Sequence, residues 1–117
     1  MNAKITATAH STPRKILHNL DLEKIVDTSD DWIRSRTGIK QRYIVEDGEA
    51  SSDISTNIAE QLLEKSNIHS DEIDLIIVGT VTPDHYTPST AALVQKNINA
   101  NNAWGFDLSA ACSGYIF

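Results

Sequence analysis

Hydrophobic and polar positions along this chain fall into short blocks with different periods. Residues 3–8, AKITAT, alternate and are rich in β-branched side chains, which predicts a first strand. STPRKILHN (11–19) reads as a loop, and Asn19 is placed to cap a short helix over 20–26. TSDDWIRSRTG (28–38) predicts a second short helix. Thr28 or Ser29 caps it, Asp30 and Asp31 suit its positive end, arginines lie towards the other end and Gly38 stops it. IKQRYIV (39–45) alternates as a strand, and EDGEAS is a turn.

The second half is more apolar. Ile54, Ile58, Leu62 and Leu63 recur at helical spacing within SSDISTNIAEQLLEKSNI, an amphipathic helix. After a turn at 70–72, DLIIVGTV (74–81) is almost wholly apolar, as expected of a strand buried on both faces. TPDHYTP (82–88) is a loop opening at the end of that strand, and STAALVQKNI (89–98) is a further helix. AWGFDL (103–108) is the last strand, and SAACSGYIF turns from it into a new helix start. Strands alternate with helices, which predicts an α/β domain with a parallel or mixed sheet and helices on its faces. Ligand chemistry in such sheets sits beyond the strand ends. TPDHYTP and SAACSG occupy that kind of place.

Composition narrows the classes. A chain of 117 residues, 40% hydrophobic and 22% charged, suffices for one small domain with a core. A formal net charge of −6 argues against non-specific binding to nucleic acid or to an anionic membrane surface. One cysteine cannot form an internal disulfide or build a zinc site without several partners, so a reducing, cytoplasmic setting is expected, with no metal. MNAKITATAHSTPRK has no apolar core of a signal peptide, and no stretch reaches the ~18 apolar residues of a spanning helix.

The single cysteine, Cys112, reads two ways. A lone free cysteine is commonly a small buried hydrophobe, and Ala110 and Ala111 look like packing neighbours. Against that, Cys112 directly follows an apolar strand and precedes a Ser-Gly-aromatic helix start. There, unpaired N–H groups and the helix dipole favour the thiolate nucleophile. The geometry is like the strand–nucleophile–helix elbow of hydrolases, although G-x-S-x-G is absent. The physics of the residues leaves both readings open.

Two motifs add a resemblance. DLSAACSG at 107–114 resembles the active-site segment of β-ketoacyl-acyl carrier protein synthase III, a thiolase-fold condensing enzyme. SDDWIRSRTGIKQR at 29–42 resembles the N-terminal signature of that family, and DLIIVGTVTPDHYTPSTA resembles its strand and loop ahead of the nucleophile. The likeness runs over essentially the whole chain. It implies the first half of a thiolase-like fold, a mixed sheet with helices on its faces within an αβαβα layered architecture. Residues 1–117 are then expected to be an N-terminal thiolase-like domain lacking the second half.

The resemblance also implies an activity. The cysteine takes an acyl group from acyl-coenzyme A as a thioester and condenses it with malonyl-acyl carrier protein, releasing carbon dioxide and initiating fatty acid synthesis. Cys112 matches that nucleophile, and its backbone N–H matches an oxyanion-hole donor. Trp32 matches the residue that stacks on the adenine of coenzyme A, and Thr28 and Arg36 match residues at the channel entrance. Without the resemblance, Trp32 reads as a core anchor. Arg34, Lys40 and Arg42 read as a solvated surface, a weaker idea being that they help dock the carrier protein. Thr87 matches a position in a loop that reaches the partner subunit's acyl pocket in a homodimer, where many members carry a bulkier residue. His85, like His10, His18 and His69, is expected to be a loop residue, because the family's catalytic histidine and asparagine lie beyond residue 117. The coenzyme A thioester is a substrate, so no cofactor is expected. The alternatives are a secondary-metabolism acyltransferase of the same superfamily and a non-catalytic binding or dimerisation module.

Overall fold

A computed structural model describes residues 3–117. The chain divides into two compact units, one spanning Thr12–Gly48 and the other joining Glu49–Phe117 to the N-terminal residues up to Ser11.

In the 12–48 unit, β1 (Lys15–His18) pairs antiparallel with β2 (Gln41–Ile44), from Lys15↔Ile44 to His18↔Gln41. Between them lie α1 (Asn19–Leu22) and α2 (Asp30–Thr37). The expected loop at 11–19 therefore ends in a strand: KILH has the apolar content to pair once QRYI supplies a partner. The α2 reading holds closely. Ser29 Oγ accepts from the Trp32 N–H at 3.1 Å, and Gly38 closes the helix at φ 73°, a left-handed conformation that glycine adopts without strain.

Asn19 is not the expected cap but the first residue of α1, only 1% exposed, and it acts as a polar hub. Its amide donates to Asp30 Oδ1 and to the Ile39 carbonyl, both at 2.8 Å, and its oxygen accepts from Arg42 Nη2 at 2.7 Å. Arg42 also donates to the Leu17 carbonyl. One amide thus ties α1, α2, β2 and the turn between them, as a buried polar group requires. Arg42 belongs to this network rather than to a solvated surface. Ile33 supplies the buried apolar contribution from α2.

The second unit holds α3 (Ser51–Ser66), a single 3₁₀ turn at Ser70–Glu72, β3 (Leu75–Gly79), α4 (Thr90–Asn97) and β4 (Trp104–Leu108). β3 and β4 are parallel, in register from Leu75↔Trp104 to Gly79↔Leu108, and α4 makes the crossover of this βαβ unit. The core is Val94, Ile98, Ala100 and Ala103, covered by Ala59, Leu63, Ile73, Ile76 and Val78. Gly105 permits the close packing of α4 on the sheet: a Cβ there would lie 2.7 Å from the Ile76 carbonyl oxygen and 3.1 Å from Ala91 Cβ.

Two expectations change here. β3 alternates in burial instead of being covered on both faces: Ile76 and Val78 face the core, while Leu75 and Ile77 are 40% and 50% exposed. On the same uncovered side Trp104 and Phe106 stand with ring centroids 6.0 Å apart. The helices of this unit pack on one face only. The segment 3–8 forms no strand, although its composition favours one. Among the described residues the only ladder partner of β3 is β4. Side chains of α3 hold the N-terminal stretch instead, Lys65 Nζ donating to the Thr8 carbonyl and Gln61 Nε2 to that of His10.

Candidate functional site

β4 runs out at Leu108 and the chain folds at once into a 3₁₀ turn, Ala111–Ser113, with the exposed Cys112 at its centre. Local bonds make the turn: Ala110 N–H to the Leu108 carbonyl at 3.2 Å, Ser113 N–H to that of Ala110 at 2.9 Å, and Gly114 N–H to that of Ala111 at 3.1 Å. Ala111 takes φ 45°, a left-handed conformation uncommon for a residue with a side chain. The nucleophile elbow of hydrolases has the same feature, a sharp turn that presents one side chain at a strand end. Behind the turn, Gly114 lies against Gly79 at the end of β3: a Cβ on Gly79 would meet the Gly114 carbonyl oxygen at 3.4 Å. The turn rests on the strand end at ordinary van der Waals distance.

Among the described residues Cys112 lies in a single 3₁₀ turn. What distinguishes Cys112 is access and donor geometry. It lines an apolar concavity of about 820 Å³ with Ile77, Phe106, Leu108 and Tyr115, and among the described residues its N–H makes no hydrogen bond. An exposed thiol, a free N–H on the same residue and an apolar wall can receive a thioester carbonyl and its alkyl chain. No group of three or more His, Cys, Asp or Glu side chains capable of holding a metal ion exists among the described residues.

The loop after β3 is fastened to α3. Ser51 Oγ donates to the Thr82 carbonyl at 2.7 Å, and Asp84 Oδ1 accepts the Ser52 N–H at 2.9 Å. Beyond those anchors His85, Tyr86 and Thr87 are exposed, so His85 is a loop residue as expected. Ser89 then caps α4 through the Ala92 N–H. Thr87 and Cys112 therefore sit in the segments that follow two neighbouring parallel strands at the same sheet end.

In the 12–48 unit, Arg36 stacks its guanidinium over the Trp32 ring, 4.5 Å from the centroid. One helical turn separates them, so α2 sets the pair. Trp32 is 52% exposed, which removes the core-anchor reading and leaves an open aromatic face with a cation on it. Thr28 is half-buried, one residue before the Ser29 cap. Arg34 pairs with Asp30 at 3.3 Å. Donation from Asn19, assisted by Arg34, holds the Asp30 carboxyl below the usual carboxylate range against some desolvation.

Two polar residues in structural roles escape sequence reasoning. Asn19 is the hub described above. Asp107 accepts the Thr90 N–H at 2.7 Å and the Ala91 N–H at 2.8 Å, fastening β4 to the first turn of α4. Asp107 did carry a signal, a carboxylate inside the apolar strand WGFDL. Asn19 carried none that separates it from a capping asparagine.

No family model matches this sequence. Curated proteins do. The chain is 59% identical over 118 residues to the β-ketoacyl-[acyl-carrier-protein] synthase III of Chlorobaculum tepidum, covering 100% of this chain and 36% of that protein. Among solved structures, 3-oxoacyl-[acyl-carrier-protein] synthase III from Aquifex aeolicus superposes with a TM-score of 0.92 at 49% identity, over 97% of this chain and 36% of that one. The priming β-ketosynthase of the R1128 polyketide pathway superposes with a TM-score of 0.91 at 33% identity, over 96% and 34%. The chain thus spans about a third of the length of these relatives, and the shared part is N-terminal. The fold is the mixed α/β thiolase fold over that part.

Proposed function

We propose, for a chain homologous over its whole length to the N-terminal part of β-ketoacyl-[acyl-carrier-protein] synthase III, that Cys112 is the acyl-accepting nucleophile of a condensing enzyme. The observation that carries this reading is the exposed thiol on a left-handed turn at the end of β4, with its own N–H free beside it. Sγ attacks the thioester carbonyl of an acyl-coenzyme A, and the carbonyl oxygen takes negative charge within reach of the Cys112 N–H. The new Sγ–carbon bond forms and the old carbon–sulfur bond breaks. The proton lost by Cys112 ends on the coenzyme A thiol. One thioester replaces another, so the acyl group stays electrophilic for the second step.

In that step malonyl-acyl carrier protein loses carbon dioxide, its α-carbon forms a bond to the acyl carbonyl carbon, the Sγ–carbon bond breaks and Cys112 takes back a proton. The residues 1–117 supply the nucleophile, and a second half of the fold supplies the histidine and asparagine. The Trp32–Arg36 stack suits the adenine and phosphates of coenzyme A, a flat π surface beside a fixed cation, with the Thr28 hydroxyl at the channel entrance. Thr87, smaller than the bulky residues many family members carry there, leaves room in the acyl pocket of a homodimeric partner. The thioester is a substrate, no separate cofactor takes part, and the reaction belongs to the cytoplasm. No helix among the described residues is long and apolar enough to cross a membrane.

The likeness to a polyketide priming enzyme supports a second reading, the same acylation with a different acceptor. Intact-mass measurement tests the shared first step. Incubation with acetyl-coenzyme A is expected to add one acetyl group to the wild-type protein and none to Cys112→Ala. An adduct that survives in Cys112→Ala, or no adduct in a folded wild-type protein, refutes the assignment. Transfer from the acyl-enzyme to malonyl-acyl carrier protein then separates the two readings.

A further inference from the structure

We propose that Asp107 is a positioning residue that holds the 80–89 loop in place against the nucleophile-bearing strand and thereby, through Thr87, sets which acyl chains the acyl pocket of the homodimeric partner accepts. The clause on acyl chains rests on the function proposed above; the clause on position does not.

Asp107 lies two residues beyond Gly105 on β4, and consecutive odd positions of a strand share a face. Both meet α4 at the same place. Gly105 removes the Cβ that would press on Ala91 at 3.1 Å, and Asp107 receives the N–H groups of Thr90 and Ala91 at 2.7 and 2.8 Å. Thr90 and Ala91 are both 0% exposed, so no water can replace the carboxylate there. The free N–H groups at a helix start seek an acceptor, and an anion is the best one. Supplying it from β4 rather than from the loop has a consequence: the first turn of α4 cannot move without β4.

Two segments leave this clamp. On one side the 80–89 loop arrives at Ser89 directly before Thr90, with the exposed Thr87 two residues earlier. On the other side β4 continues from Asp107 through Leu108 to the Cys112 turn. The loop has its own anchors at Thr82 and Asp84, but none between Asp84 and the Ser89 cap is present among the described residues. Asp107 therefore fastens the end of the loop that carries Thr87 to the strand that leads to Cys112.

Asp107→Asn and Ser89→Ala separate this role from plain helix capping. The first keeps the shape but offers one acceptor where two N–H groups need one. The second removes a cap within α4 while β4 still holds the helix. The experiment uses the full-length protein. In Asp107→Asn, amide exchange at Thr90 and Ala91 is expected to quicken about tenfold or more. Chymotryptic cleavage after the exposed Tyr86 is expected to quicken too, and Ser89→Ala to change cleavage little. The ratio of kcat/KM for a branched acyl-coenzyme A to that for acetyl-coenzyme A is expected to shift about fivefold in Asp107→Asn. Alkylation of Cys112 by iodoacetamide stays within about twofold, because its turn makes its own bonds. Unchanged exchange and cleavage overturn the positioning role. Equal losses for both acyl-coenzyme A substrates, with no change in their ratio, overturn the selectivity role and leave Asp107 a stabilising residue. If the wild-type protein forms no acyl adduct, the proposed function and the selectivity clause fall together, while exchange and cleavage still decide the position.

Discussion

Replacing Asn19 by alanine removes the one amide that links four segments of the 12–48 unit. The cost follows from its partners. The bond from Arg42 Nη2 to Asn19 Oδ1 at 2.7 Å involves a charged donor, for which about 1.5 kcal/mol is a low central value. The bond to the Ile39 carbonyl at 2.8 Å is neutral, about 1 kcal/mol. Asp30 is left out of the sum, because water reaches its carboxylate and replaces the lost amide. The expected loss is therefore about 2.5 kcal/mol, close to 70-fold in the folding constant of this unit. Trp32 reports on it if Trp104 is first changed to Phe, since Trp32 lies in the 12–48 unit and Trp104 in the other. Urea titration of Trp32 fluorescence reads the free energy, and a carbon-13 titration of Asp30 gives an independent check. Asn19 is the leading cause of the lowered Asp30 pKa, so Asn19→Ala is expected to move it up. A loss under about 1 kcal/mol together with an unmoved Asp30 titration refutes the hub.

Two further outcomes are expected. Gly105→Ala forces a Cβ to within 2.7 Å of the Ile76 carbonyl oxygen, a backbone atom that cannot rotate away; a loss of about 2 kcal/mol or more is expected in the unit carrying Cys112, read from Trp104 in a Trp32→Phe background. The acid limb of the 12–48 unit follows from Asp30 and from Asp21, which the Lys24 ammonium and the His18 N–H hold below the usual value. Both groups bind their protons more weakly folded than unfolded, so their contribution is present above about pH 3.8 and lost as pH falls through the lower folded values; the urea midpoint by Trp32 fluorescence should fall across that window, and a flat midpoint contradicts it.

Local chemistry explains which elements were legible. Ser29, Asp30, Asp31 and Gly38 mark the ends of α2 by rules that act within one turn, and the helix sits within those marks. The spacing of Ile54, Ile58, Leu62 and Leu63 likewise reports α3. Strands depend on what lies beside them. KILH pairs because β2 is there, and AKITAT stays unpaired although its composition is the better strand signal. The apolar run of β3 predicts cover on two faces; within these residues, about a third of the relatives' length, α3 and α4 cover one.

The site divides along the same line. Cys112, Trp32, Arg36, Thr28 and Thr87 are read from motifs; Thr28 is half-buried and the other four are exposed. Asn19 and Asp107 are not read from motifs, because their importance lies in bonds to residues 11 to 23 and 16 to 17 positions away. A motif is a record of contacts with substrate, which recur with the same residue types because the substrate is the same. A buried amide or carboxylate serves whichever N–H or carbonyl the fold leaves open, and which groups those are is settled only when the helices and strands have docked. The consequence for Cys112 is concrete. SAACSG marks the Cys112 turn in the sequence, but the bonds that tie β4 through Asp107 to α4 are found only in the folded chain.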